Sequence, residues 1–302
     1  MRESRTTAPV GLWGLGNMGR PMAARLIAAG IPVLGYDPAP DARDGFAAVG
    51  GTVINGPDEL TGVDTVILML PGSDVVDEVL LRGGVADALA DGAVVIDMSS
   101  SEPLRTRKLA ASLRTRGVVL VDAPVSGGVS GAEDGTLAIM AGGAVEDVER
   151  VMPLLSHFGT PVHVGEIGAG HALKALNNLL SATHLWVTSE AILVGARYGL
   201  DPEVMLSTIN GSSGRSGSTQ NKWPNFILPG KYDSGFALRL MLKDMKIATG
   251  LAHSLGMSIA LGDAAVEQWA RAAELLPTNA DHTEIARFLS ASHPQETSPT
   301  RA

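Results

Sequence analysis

Gly14-Leu15-Gly16-Asn17-Met18-Gly19 follows the apolar run Val10-Gly11-Leu12-Trp13 and opens a helix-forming stretch at 21–29. An acidic residue, Asp37, closes the next apolar run, Val33-Leu34-Gly35-Tyr36. Strand, glycine turn, helix, strand and acid in this order make the dinucleotide-binding pattern: the glycines permit a tight turn and close backbone approach, and the helix N-terminus attracts a pyrophosphate. Gly14, Leu15, Gly16, Asn17, Met18 and Gly19 are expected to hold the cofactor. Asp37 is expected to accept hydrogen bonds from ribose hydroxyls and to repel an extra phosphate. No arginine follows it directly, Arg43 being the nearest, so NAD is favoured over NADP.

The pattern continues outward. Strand-like runs recur at 32–36, 65–70, 93–97, 118–122, 137–141 and 161–164, with helix-like segments at 75–81, 104–114 and 145–156. Such alternation predicts βαβ units and a parallel, doubly wound sheet. After Gly168-Ala169-Gly170 the strand signal fades. A helical stretch at 171–198 would span about 42 Å if continuous, and further helices are expected at 202–209, 237–255, 259–274 and 282–289. The expected fold is thus α/β: a Rossmann domain over 1–168, then an all-helical substrate and oligomerisation domain over 169–290 built on the long helix, and a disordered tail at 291–302. The Gly-, Ser-, Asn- and Pro-rich stretch 210–236 reads as a long structured loop, a type that is often functional.

Bulk properties narrow the function. The chain has 302 residues, 4% aromatic content and a net charge of −9, which argues against nucleic-acid or anionic-membrane partners. It has no cysteine, which removes disulfides and thiol nucleophiles and fits a reducing compartment. The first nine residues do not read as a signal peptide, and no 18-residue stretch reads as apolar enough to span a membrane; a cytoplasmic location is expected. The seven histidines show no metal-ligand spacing, so no metal site is expected.

Other clusters could carry chemistry. Leu70-Pro71-Gly72-Ser73 and Asp97-Met98-Ser99-Ser100 each end a strand, where open α/β sheets bind ligands. Asp122-Ala123-Pro124-Val125-Ser126-Gly127-Gly128 presents a hydroxyl and two glycine N–H groups, which suit a carboxylate or simply a turn. Lys174 and Asn178 lie four apart on one helix face amid apolar neighbours. There Lys174 is either a snorkelling surface lysine or a partly buried acid/base. Lys243-Asp244, taken alone, reads as a solvated face.

Together these clusters resemble the β-hydroxyacid dehydrogenase family, in particular 3-hydroxyisobutyrate dehydrogenases and 2-hydroxy-3-oxopropionate reductases. The likeness runs through GLGNMGRPMA at 14–23, MLPGS at 69–73, DAPVSGGVSGAEDGTL at 122–137, GAGHALKALNN at 168–178 and GFALRLMLKD at 235–244. The resemblance implies an active site in a cleft between the two domains and a homodimer or homotetramer. It also implies hydride transfer between a nicotinamide and a small 3-hydroxy carboxylic acid or its semialdehyde. Lys174 matches the family's general acid/base and Asn178 its orienting partner. Ser126, Gly127 and Gly128 match the substrate-carboxylate loop. Leu70, Pro71, Val75, Ser100, Phe236 and Lys243 match cofactor-binding positions. Ser100 stands where threonine is common, and Trp13 where a smaller residue is usual. The alternatives are imine reduction on the same scaffold, which Lys174 counts against, decarboxylating oxidation of 6-phosphogluconate, and a non-catalytic NAD-binding protein. For a phosphate-bearing substrate only Arg215 and Lys222 offer charge within the 210–236 stretch. The substrate side chain is expected to meet 211–215 and residues near Trp223 and Phe236.

Overall fold

The computed structural model describes residues 8–60 and 62–291. Two compact units part between Lys174 and Ala175.

The first unit is a nine-stranded sheet flanked by helices. In chain order it contains β1 (Val10–Trp13), α1 (Gly19–Ala28), β2 (Val33–Tyr36), α2 (Pro40–Ala48), β3 (Thr52–Val53), β4 (Thr65–Leu68), α3 (Ser73–Asp77), α4 (Val85–Ala88) and β5 (Val94–Asp97). Then come α5 (Pro103–Arg114), β6 (Val119–Asp122), β7 (Val125–Ser126), α6 (Gly128–Asp134), β8 (Leu137–Gly142), α7 (Val145–Leu155) and β9 (Gly159–Gly165). The spatial order is β3-β2-β1-β4-β5-β6-β8-β7, with β9 paired to β8. Strand direction explains the composition: Val94 and Ile96 enter the core on one side of the sheet and Val95 the core on the other, as a strand covered on both faces requires. Trp13 is buried in the second of these cores.

Six strands, β1 to β6, are parallel as expected, but the sheet is mixed. β8 runs antiparallel to β6 and β7, and β9 then pairs parallel with β8. The link between β6 and β8 folds into β7 and the seven-residue α6; β7 pairs antiparallel with β8, so β8 returns beside β6 as the second arm of that pair and not after a crossover.

Register matters for function. Trp13 pairs with Tyr36 and Leu68, Leu68 with Asp97, and Asp97 with Asp122. Five strands therefore end level, and among them the loops after β1, β4, β5 and β6 leave one edge of the sheet across about 14 Å, three strand spacings. β1 lies between β2 and β4, the point at which strand order reverses and α/β sheets bind ligands.

The long helix α8 (Ala169–Tyr198) is continuous; its first residues belong to the first unit. An 18-residue window in it reaches a mean hydropathy of 1.2, long and apolar enough to cross a membrane, which corrects the sequence expectation that no such stretch exists. A core helix passes the same test, and α8 turns buried His171, Asn178 and Ser189 to protein hydrogen-bond partners. The second unit continues with α9 (Pro202–Asn210), α10 (Leu238–Ser254), α11 (Ala260–Leu275) and α12 (Ile285–Ala291) around a core containing Leu185, Trp223, Met245 and Trp269. The stretch expected to be loop contains a ten-residue π-helical segment, Ser218–Ile227. Pro224 inside it lacks an N–H and disfavours regular α geometry, which hid the segment in the sequence. Ala291 ends α12; the rest of the tail expected to be disordered lies outside the described residues.

Candidate active site

The loop after β1 shows why its three glycines stand where they do. Gly14 has φ 95°, and a Cβ there would lie 2.2 Å from the Met69 carbonyl oxygen. A Cβ on Gly19 would lie 1.8 Å from the Gly14 carbonyl oxygen. Gly16 differs: nothing lies within 4 Å of its would-be Cβ. Two glycines thus serve the turn and its packing, and the third keeps the open side bare. No side chain caps the N-terminus of α1; the Arg20 N–H turns back to the Gly16 carbonyl at 3.1 Å and Pro21 has no N–H, so it is chiefly the positive end of the helix dipole that faces an anion here. Asp37 closes the loop from the next strand. Its Oδ2 accepts the Leu15 N–H at 2.9 Å and its Oδ1 the Ala39 N–H at 2.9 Å. Each oxygen keeps a lone pair for a ribose hydroxyl. Arg43 Nη1 donates to the Asp37 carbonyl oxygen at 3.0 Å, so a guanidinium does stand near this position. These residues fit a dinucleotide.

The neighbouring loops share the edge. The Leu70 N–H donates to Ser99 Oγ at 2.9 Å, and Ser73 Oγ accepts the Glu102 N–H at 2.8 Å, tying the loops after β4 and β5 together. Pro71 and Val75 are exposed, and Ser100 is half-buried. Beyond β6, Ser126 ends β7, and Gly127 and Gly128 follow with φ 140° and 67°. This left-handed backbone, which glycine tolerates and other residues resist, leaves both glycines exposed.

A buried polar hub anchors α8 to this edge. Asp122 Oδ1 accepts the Gly168 N–H at 2.7 Å and Oδ2 the His171 N–H at 2.8 Å. The carboxylate satisfies donors that a helix start leaves unpaired, and it does so from 46 residues upstream. Burial nonetheless pushes the Asp122 carboxyl above its usual range; the nearby His171 and the two backbone donors oppose this. His171 Nε2 donates to the Ser99 carbonyl at 3.1 Å, and Nδ1 lies 2.8 Å from the Thr106 hydroxyl, which itself donates to the Glu102 carbonyl at 3.1 Å. Close packing demands glycine here too: a Cβ on Gly170 would lie 2.1 Å from the Met140 carbonyl oxygen. One helical turn after His171 comes Lys174, only 8% exposed.

Asn178 lies one turn further on, in the second unit, and is buried. Its Nδ2 donates to Asp244 Oδ2 at 2.6 Å, and its Oδ1 accepts from Asn177 Nδ2 at 3.2 Å. Lys243 Nζ lies 3.3 Å from Asp244 Oδ1. Asp244 is 2% exposed. This overturns the reading of Lys243-Asp244 as a solvated face: on α10, Asp244 turns inward, where it pairs with Asn178. Phe236 packs edge-on against His282 at 5.7 Å.

The structure therefore brings Gly14–Gly19, Asp37, Leu70, Pro71, Ser100 and Ser126–Gly128 to one sheet edge, and gathers Asn178, Lys243 and Asp244 within the helical unit. Sequence reasoning missed Asp122 and His171 as the hub. Asp122 was visible as an acid ending an apolar strand, and His171 as a histidine beside Gly168 and Gly170, but only the fold joins them.

Comparison with known proteins agrees with this architecture. Residues 9–168 match the model of the NAD-binding domain of 6-phosphogluconate dehydrogenase, and residues 168–289 that of the NAD-binding domain of NADP-dependent 3-hydroxyisobutyrate dehydrogenase. Mitochondrial 3-hydroxyisobutyrate dehydrogenase of Bos taurus is 36% identical over 95% of this chain and 88% of its own. 2-(Hydroxymethyl)glutarate dehydrogenase of Eubacterium barkeri is 39% identical over 79% of this chain and 80% of its own. The structure of 3-hydroxyisobutyrate dehydrogenase from Mycobacterium tuberculosis with L-serine superposes with a TM-score of 0.87 at 32% identity, covering 94% of this chain and 99% of that one. An imine reductase from Myxococcus stipitatus is 18% identical with a TM-score of 0.64, a likeness of fold alone. Fold and site define an NAD(P)-dependent oxidoreductase. The chain belongs to the β-hydroxyacid dehydrogenase family.

Proposed function

We propose that this enzyme moves a hydride between NAD and a small 3-hydroxy carboxylic acid or its semialdehyde, with Lys174 as general acid/base. One observation carries the reading: Lys174 is a buried lysine fixed one helical turn beyond the His171 N–H that Asp122 holds. A lysine held in this way can exchange a proton at a defined atom. Gly14–Gly19 would hold the pyrophosphate and Asp37 the ribose hydroxyls, with Leu70, Pro71, Val75, Ser100, Phe236 and Lys243 completing the cofactor contacts. The bound nicotinamide supplies acceptance of a hydride from the hydroxyl-bearing carbon, or its return to the carbonyl. Neutral Lys174 Nζ takes the hydroxyl proton in oxidation, and the ammonium donates to the forming alkoxide in reduction. Ser126 Oγ with the Gly127 and Gly128 N–H groups receives the substrate carboxylate, which fixes the carbon presented for transfer. Asn178 orients the reacting groups, and Asp244 holds Asn178.

Relatives named for 3-hydroxyisobutyrate, 2-(hydroxymethyl)glutarate and L-serine share a hydroxymethyl group beside a carboxylate-bearing carbon, which supports the same substrate class here. An NAD- and NADP-coupled screen of such acids tests this; no turnover of any of them would contradict it. We further infer that residues 169–290 act as the substrate and oligomerisation domain of a cytoplasmic homodimer or homotetramer. The supporting feature is an exposed stripe on α8 that includes Leu180 at 59% and Val194 at 68% exposure. Sedimentation analysis of the purified enzyme measures the assembly directly; a monomer would contradict it.

A further inference from the structure

Lys222 is a half-buried cation that the proposed chemistry does not use. It sits in the π-helical segment Ser218–Ile227 and donates from Nζ to Ser181 Oγ at 2.7 Å. Ser181 lies seven residues beyond Lys174 on α8. Positions 174, 178 and 181 share one helix face, so the bond brings the Lys222 ammonium to the face that carries Lys174 and Asn178, roughly 10 Å further along the axis. The segment is pinned there by a second bond eight residues on, from Trp223 Nε1 to Ser189 Oγ at 3.2 Å.

Among the described residues the Lys222 ammonium forms no ion pair. The carboxylate nearby, Asp281, is committed elsewhere. It accepts from Ser234 Oγ, the Gly235 and Phe236 N–H groups, and the N–H and hydroxyl of Thr283. Burial lowers the Lys222 pKa to about 8, against the pull of Asp281; at pH 7 the group still carries its charge. His282 beside it is held near 4 by burial and by Lys222, so it stays neutral and supplies no competing cation. A partly desolvated ammonium with spare donors, whose neighbouring carboxylate Asp281 is engaged by other donors and makes no direct contact with it, is a ready partner for an anion.

We propose that Lys222 recognises a second carboxylate on the substrate, distal to the hydroxyl-bearing carbon, and so makes this enzyme selective for hydroxy dicarboxylic acids over hydroxy acids with an apolar side chain. The inference rests on the assignment of Lys174 as the acid/base, since that assignment places the substrate on this face of α8.

The test compares 2-(hydroxymethyl)glutarate with 3-hydroxyisobutyrate at pH 7 in wild type, Lys222→Met and Lys222→Arg, reading the ratio of the two kcat/KM values. Wild type should favour the dicarboxylate. Lys222→Met should lower the ratio about tenfold to a hundredfold, the range for a charged hydrogen bond, mainly through KM, and Lys222→Arg should recover most of it. A ratio is insensitive to the folded fraction. An unchanged ratio, or wild type favouring 3-hydroxyisobutyrate, would overturn the proposal. If neither acid is oxidised, the acid/base reading fails on its own, and calorimetric titration of glutarate into wild type and Lys222→Met with NADH present still decides: about tenfold weaker binding to the variant supports the carboxylate site, and equal affinity refutes it.

Discussion

The Asp122 carboxylate accepts the backbone N–H of His171 at 2.8 Å, and its other oxygen accepts that of Gly168 at 2.7 Å. The last parallel strand thereby caps α8, and the turn carrying Lys174 inherits its position from the sheet. Asp122→Asn keeps one acceptor but turns an amide donor toward a backbone donor, and should cost about 1–3 kcal/mol. The cost should depend on pH. Burial raises the folded-state pKa of Asp122, so the native protein holds this proton more tightly than the unfolded chain. Its contribution is fully present below the unfolded pKa of roughly 3.9 and is lost as pH rises through the higher folded value. Urea midpoints of wild type and variant at pH 4 and pH 7 should differ most at pH 4; a gap that widens toward pH 7 would contradict this account.

The glycine loop separates folding from binding. Gly19→Ala forces a Cβ onto the Gly14 carbonyl oxygen and should destabilise by about 1–3 kcal/mol or more. Gly16→Ala meets open space and should change stability by less than about 0.5 kcal/mol, while obstructing backbone approach to the pyrophosphate. Thermal unfolding and NADH fluorescence titration read the two effects. An undiminished NADH affinity in Gly16→Ala would remove this residue from the cofactor site.

Asp37 holds the loop through the Leu15 N–H and is proposed to hold the cofactor's ribose as well. Asp37→Ala removes the acceptor for Leu15 N–H and the charge that repels a 2′-phosphate, while Arg43 remains beside the site. NAD turnover should fall, and the NADP-to-NAD ratio of kcat/KM should rise about tenfold or more. A ratio that stays constant would mean that cofactor choice is made elsewhere.

Asn178 and Asp244 should behave as one unit. Each alanine substitution breaks the same 2.6 Å bond, so the double variant should be little worse than the more damaged single variant. The expected coupling is about 1.5–3 kcal/mol for a hydrogen bond to a charged group. Additive losses in kcat would show that the two act separately.

Much of this was legible in the chain. The glycine turn, Asp37 and the alternation of apolar runs specify the parallel sheet because each is a local pattern, and α8 follows from a long apolar helical stretch without a breaker. Three features were not legible. The reversal at β8 depends on its pairing with β7 after the turn through α6, not on the strand's own composition. The π-helical segment around Pro224 carries loop-like residues. Asp122, His171 and Asp244 owe their roles to partners 46 to 66 residues away, which no local window contains.

The central claim is that Lys174 moves the proton. Steady-state oxidation of the preferred hydroxy acid by Lys174→Ala, alongside NADH titration of the same preparation, tests it most directly. Lys174→Ala should lose about 10²–10⁴ in kcat, with NADH binding close to wild type and partial rescue by added primary amines. A variant that keeps near-normal kcat would contradict it.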